Sequence, residues 1–253
     1  MKNRAWTTVL ILALGHTVWG QELYVNAEAA SNSPRGVFRL RAGVMGDEAG
    51  WAWQTRFFYS LTPRWMVSGY VSGDFDAGPG GGGLYLKYRF FNRDGPHRHL
   101  RLAAFAEGDM ARRETDFQAY LTGIRHGAGA GLIATYLFDR TAISGTAGGY
   151  RAVSPPGHGG LDGNLVPFSA SVGHLVLPRR YTSYRETNLN LYFELLGLGA
   201  ADGLRLEAAP AIQLIFNSST KMDLAVRLRL ADSLPGERTG WIVQVALEHY
   251  FFP

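Results

Sequence analysis

Cysteine is absent from the 253 residues, which excludes a disulfide framework, thiolate metal sites and a thiol nucleophile. Long apolar runs are scarce. Beyond the opening segment no stretch approaches the roughly 18 apolar residues of a membrane-crossing helix. Basic runs are missing too. The formal charge is +4, and Lys2 and Arg4 supply two of those charges, so the basic pI is weak ground for a nucleic-acid partner and none is expected. Metal-ligand and catalytic signatures are also lacking. There is no His-Glu-x-x-His spacing, and His97 and His99 have no third or fourth ligand nearby. Gly78-Pro-Gly-Gly-Gly-Gly83 lacks the Gly-Lys-Ser/Thr and helix of a phosphate cradle and reads as a flexible outer loop. No metal and no cofactor is expected.

What is present is a persistent period of two. In the closing stretch Trp241, Val243, Val245, Leu247, His249 and Phe251 form one nearly apolar set. Ile242, Gln244, Ala246, Glu248 and Tyr250 form the other. The same alternation marks residues 38–42, 51–59, 65–72, 84–90 and 100–107. It continues, less cleanly in the Gly-rich part, through 124–138, 141–152, 164–176, 189–195, 204–216 and 222–230. Strands with one apolar face produce this pattern. With the last stretch they number about twelve, with ten to fourteen allowed.

A soluble sandwich or lipocalin-like barrel would show the same alternation while burying the apolar face. Three features favour a membrane instead. Strand lengths approach the 9–11 or so residues of a tilted crossing, aromatics such as Trp51, Tyr59, Trp65, Tyr88 and Trp241 stand at strand ends, and an export signal opens the chain. Residues 1–20 read as that signal, with Lys2 and Arg4 before the apolar Val9–Leu14 run and Val18-Trp-Gly20 at the cleavage point. Residues 21–36 are polar, a periplasmic lead-in or a segment folded into the mouth, and 37–253 make the barrel. Alternate connections are on average longer, which places both termini in the periplasm. The last strand should pair with residues 36–44 and bring Gln244 and Glu248 towards Arg39 and Arg41.

These residues resemble those of bacterial outer-membrane β-barrels, in particular transporter-like barrels of about this size. The outward set ends at Phe251 and is followed by Phe252 and Pro253, whereas that class usually ends on Phe. The resemblance implies an all-β, antiparallel up-and-down transmembrane barrel in the outer membrane. It implies outer-membrane lipid and lipopolysaccharide, the barrel-assembly machinery and a small solute as partners.

Function then rests on the inward face. Arg39, Arg41, Arg56, Lys87, Arg89, Arg101, Arg205, Arg227 and Arg229 there outnumber Glu107, Glu194, Glu207, Asp223 and Glu248. A wall of Arg lowers the barrier for anions, so the expected function is a channel passing small solutes, anions among them. The competing reading is a narrow lumen plugged by ion pairs. Gly127, Gly129 and Gly131, with Gly145 and Gly149 on the next strand, form a small-residue patch. It is either a smooth wall for a substrate or residues 21–36, or a device for bending a small barrel. Two other functions compete: a lipid-modifying hydrolase built on Ser68, Ser144 or Ser233 with His174 or His249, and a structural barrel anchoring an envelope protein.

Overall fold

A computed structural model describes residues 24–76, 78–111, 125–153, 161–180, 183, 185–235 and 240–253. The expected signal peptide lies outside the described residues. Each alternating stretch is a strand: β1 (Phe38–Gly46), β2 (Trp51–Ser60), β3 (Trp65–Asp74), β4 (Gly78–Gly95), β5 (Arg98–Ala111) and β6 (Gly127–Phe138). The second half contributes β7 (Thr141–Ala152), β8 (Gly163–Leu177), β9 (Asn188–Ala200), β10 (Gly203–Phe216), β11 (Thr220–Asp232) and β12 (Trp241–Phe251). Every strand pairs antiparallel with its sequence neighbours, and β1 pairs with β12 to close the barrel. The seam runs from Phe38 opposite Phe251 to Gly46 opposite Val243, two residues further along β1 than 36–44.

Burial is inverted relative to a soluble domain. Lys87, Glu194 and Asp223 are fully buried, while Leu84 and Leu132 on the outside are 70% and 60% exposed. Every strand carries at least one large exposed apolar side chain outward. In water each would forgo about 1.5–3 kcal/mol of burial. In lipid that penalty vanishes, and closure leaves no strand edge to satisfy there. Aromatics ring the end where the described chain starts and finishes, here the near end. Trp65 stacks on Tyr88 at 4.4 Å and Phe38 packs on Phe251 at 5.7 Å. Trp51 and Trp241 stand at the far end.

Turns set which residues face inward. The connection Asp139-Arg140 has Asp139 at φ +50° and pairs Phe138 with Thr141. Odd residues of β6 therefore meet even residues of β7, and both point into the lumen. Gly127, Gly129 and Gly131 face inward, but Gly145 and Gly149 lie opposite Ala134 and Ala130 and face outward. The single small-residue patch is thus corrected: its two halves lie on opposite sides of the wall. Gly78–Gly83 is likewise the start of β4 and pairs with β3 and β5, not a loop. β4 and β5 are joined by a tight connection between Gly95 and Arg98, with His97 at φ +58°.

Candidate functional site

The charged interior sorts by ion pairing. Across the seam the Arg39 guanidinium lies 3.1 Å from Glu248. Arg41 reaches Asp223 at 3.2 Å and Glu248 at 3.9 Å. Lys221 joins them, 3.5 Å from Asp223 and 3.3 Å from Glu248. Three cations thus share two buried carboxylates, and Gln213 donates to Asp223 at 2.8 Å. Towards the far end Arg205 meets Asp232 at 3.0 Å, and Arg227 donates to Glu207 through Nε at 3.0 Å. A buried charge is tolerated only with a partner; Arg39, Lys221, Arg205 and Arg227 find one on a neighbouring strand, and Arg41 also reaches past β12 to Asp223 on β11.

Residues 24–36 occupy the near half of the lumen. The backbone N–H groups of Val25 and Asn26 both donate to Glu194, each at 2.9 Å. The Val25 carbonyl accepts from Arg41 at 2.9 Å, and Ala30 N–H donates to Thr135 Oγ1 at 2.9 Å. Lys87 contacts Glu28 at 2.6 Å and donates to the carbonyls of Ala29 and Ser31 at 2.7 and 2.9 Å. Arg101 donates to Ser31 Oγ at 2.7 Å. An irregular segment has no internal ladder, so its backbone groups need partners from the wall. Apolar contacts complete the fit: Tyr24, Val25 and Ala29 pack with Leu137, Ala142 and Tyr192, and Ala30 with Ala103 and Ile133. At the rim Gly36, at φ +81°, lets the chain turn into β1, and its N–H donates to the Ser60 carbonyl.

Alongside and beyond this segment runs a cavity of about 660 Å³, lined from Ser33 and Arg101 near the near end to Arg205 and Glu207 towards the far end. One wall is aromatic. Tyr85 stacks on Phe105 at 5.4 Å, and the hydroxyls of Tyr70 and Tyr150 both donate to Asp109. Arg56 extends over this wall, 4.9 Å from the Phe58 ring and 5.0 Å from those of Tyr70 and Tyr85, with Nε donating to Ser68 at 2.7 Å. The inward glycines make room for the rings. A Cβ at Gly129 would sit 2.6 Å from the Tyr150 ring, and one at Gly131 2.6 Å from Phe105.

Most of the expected wall faces this lumen, but it is a paired wall. Arg39, Arg41, Arg205 and Arg227 have carboxylate partners, Lys87 and Arg101 hold the inserted segment, and Glu194 accepts its backbone. Arg89 is half-buried at a β-bulge near the near end, and Arg229 is exposed near the far end of β11. Glu107 lines the cavity. Sequence reasoning missed Glu28, Lys221, Asp109 and Asp232. Lys221 was legible, because it lies two residues before Asp223 on the same face. Glu28 was not, because no strand period reaches it.

The serines and histidines considered for hydrolysis do not converge. His249 bonds Thr220 at 2.8 Å and His174 bonds Thr141 at 2.9 Å. Ser68 accepts from Arg56, Ser144 bonds Thr135, and Ser233 bonds the backbone of Leu204. Among the described residues no group of three His, Asp or Glu side chains is placed to hold a metal.

No protein-family model and no curated protein matches the chain. Solved structures do match in fold. The chain is similar to the KdgM porin, with a TM-score of 0.51 at 6% identity over 85% of this chain and 99% of that one. It is similar to the NanC porin, with a TM-score of 0.50 at 8% identity over 84% and 98%. The likeness is one of fold, a closed antiparallel β-barrel.

Proposed function

We propose that this protein is an outer-membrane channel for small solutes whose near half is closed by residues 24–34 and which conducts when they are displaced. The near end, with the start of β1, the end of β12 and the tight Asp139-Arg140 turn, faces the periplasm. One observation carries the reading: a lumen cavity of about 660 Å³ is narrowed in its near half by a segment of the chain's own N-terminal part, which forms much of its lining. The volume suits a small solute. The segment is held by polar bonds to the wall, which water or a solute can replace. The similar porins support passage as the use of such a lumen.

The expected preference for anions rests on a narrow base. Paired arginines present little net field to a passing ion, whereas Arg56 faces the cavity with Ser68 and aromatic rings as its partners. We read the open lumen as weakly selective, with Arg56 its strongest anion contact. Outer-membrane lipid and lipopolysaccharide against the apolar belt, and assembly by the barrel machinery, belong to the same proposal.

Conductance of the purified chain in a planar bilayer tests it, with Lys87→Met as the comparison. Lys87 bridges Glu28 and two carbonyls of the segment, so its loss should raise the frequency of conducting steps several-fold. A barrel that is silent with and without Lys87 contradicts the channel reading.

A further inference from the structure

The cavity beside the inserted segment contains a carboxyl group and a guanidinium that the fold leaves without an ion pair at contact distance. Half-buried Glu107 makes no hydrogen bond or ion pair with any described residue, although it faces a cavity whose buried carboxylates are paired or bonded. Arg56 commits Nε to Ser68 and its flat face to three rings, and its remaining N–H groups bond no described residue. Between them stands Tyr85. It is 7% exposed, and its hydroxyl has no hydrogen-bond partner.

Register explains the arrangement. Tyr85 on β4 lies directly opposite Glu107 on β5 and, on its other side, opposite Ser68 on β3. Ser68 is the group that holds Arg56, whose guanidinium carbon is 5.0 Å from the Tyr85 ring. Strands are about 4.8 Å apart. The unpartnered carboxylate and the unpartnered guanidinium N–H groups therefore flank a single tyrosine on one face. Asp109, two residues along from Glu107, takes no part, because the Tyr70 and Tyr150 hydroxyls already occupy it.

We propose that this is a binding site for a zwitterion, an α-amino acid with an apolar or aromatic side chain, lying across Tyr85. Its carboxylate accepts from the free N–H groups of Arg56, a charge-assisted contact for which a planar guanidinium is suited. Its ammonium donates to Glu107 and to the Tyr85 hydroxyl oxygen. Its side chain rests on the Tyr85–Phe105 stack, whose Phe105 ring fills the space that Gly131 leaves. An anion alone leaves Glu107 and the hydroxyl unanswered, and a cation alone leaves Arg56 so. Buried polar groups left unpaired are what makes such a site discriminate. The inference names the solute class of the proposed channel and rests on that reading for passage, though not for binding.

Isothermal titration of the detergent-purified full chain separates the possibilities with three probes: L-phenylalanine, 3-phenylpropionate and phenethylamine. L-Phenylalanine should bind at least ten-fold tighter than either of the others. Glu107→Gln should erase that preference and leave 3-phenylpropionate at least as tight. Tyr85→Phe, which keeps the stack, should weaken L-phenylalanine several-fold and leave 3-phenylpropionate unchanged. Each variant's heat-modifiable gel mobility must match the parent's, and Tyr85→Phe, which removes one oxygen, carries the test if Glu107→Gln misfolds. Equal binding of all three probes, tighter binding of 3-phenylpropionate, or no binding overturns the proposal. A barrel that conducts without binding L-phenylalanine sinks the zwitterion site alone. One that binds without conducting sinks the channel alone.

Discussion

Arg39 and Glu248, 209 positions apart in sequence, meet at 3.1 Å across the seam that closes the barrel. Arg39 also lies over the Phe58 ring at 4.0 Å, and Glu248 also receives Arg41 and Lys221. The first and last strands are thus joined by side chains as well as by their ladder.

The seam cluster should therefore be sensitive to loss of either carboxylate. Glu248→Gln leaves three neighbouring cations with Asp223 alone, and breaking such a buried set costs about 3–5 kcal/mol. Denaturant unfolding in detergent, followed by heat-modifiable gel mobility, should show a markedly lower midpoint. An unchanged midpoint would mean the pairs contribute nothing to closure.

Gly131 and Gly149 should part company although both lie in the Gly-rich strands. Gly131→Val meets the Phe105 ring and the Ala147 carbonyl, whereas a Cβ at Gly149 has nothing within 4 Å. Overpacking typically costs about 1–3 kcal/mol. Gly149→Val should fold with parental stability and Gly131→Val should not. Equal tolerance would place both glycines on the outer face.

Replacement on the outside should be costly in the opposite sense. Leu132→Arg puts a charge on a lipid-facing position, which costs about 2–4 kcal/mol at the bilayer midplane. The folded yield in lipid vesicles should drop, while Thr146→Ser on the inner face, whose hydroxyl bonds no described residue, leaves insertion intact. If Leu132→Arg inserts as well as the parent, the apolar belt does not meet lipid.

The alternation of Phe38, Leu40 and Ala42 against Arg39 and Arg41, and of Trp241 to Phe251, was enough to give strand number, facing and closure. A closed barrel has one inside and one outside, so period two carries most of its information. The Gly-rich strands were harder, because Gly145 and Gly149 offer no side chain whose polarity declares a face. The tight turn at Asp139-Arg140, which decides the matter, shifts parity by one. Charge pairing was unreadable for another reason. Arg39 and Glu248, or Lys87 and Glu28, are distant in sequence, and only register or the path of the inserted segment brings them together.

That inserted segment is the centre of the account, and the absence of native cysteine allows it to be fixed by one bond. Ala30 N–H donates to Thr135 Oγ1 at 2.9 Å inside the lumen. In an Ala30→Cys, Thr135→Cys double variant, a disulfide would lock residues 24–34 to β6. Planar-bilayer conductance should be absent under oxidising conditions and appear when reductant is added. Equal conductance before and after reduction would contradict the account, as would silence in both.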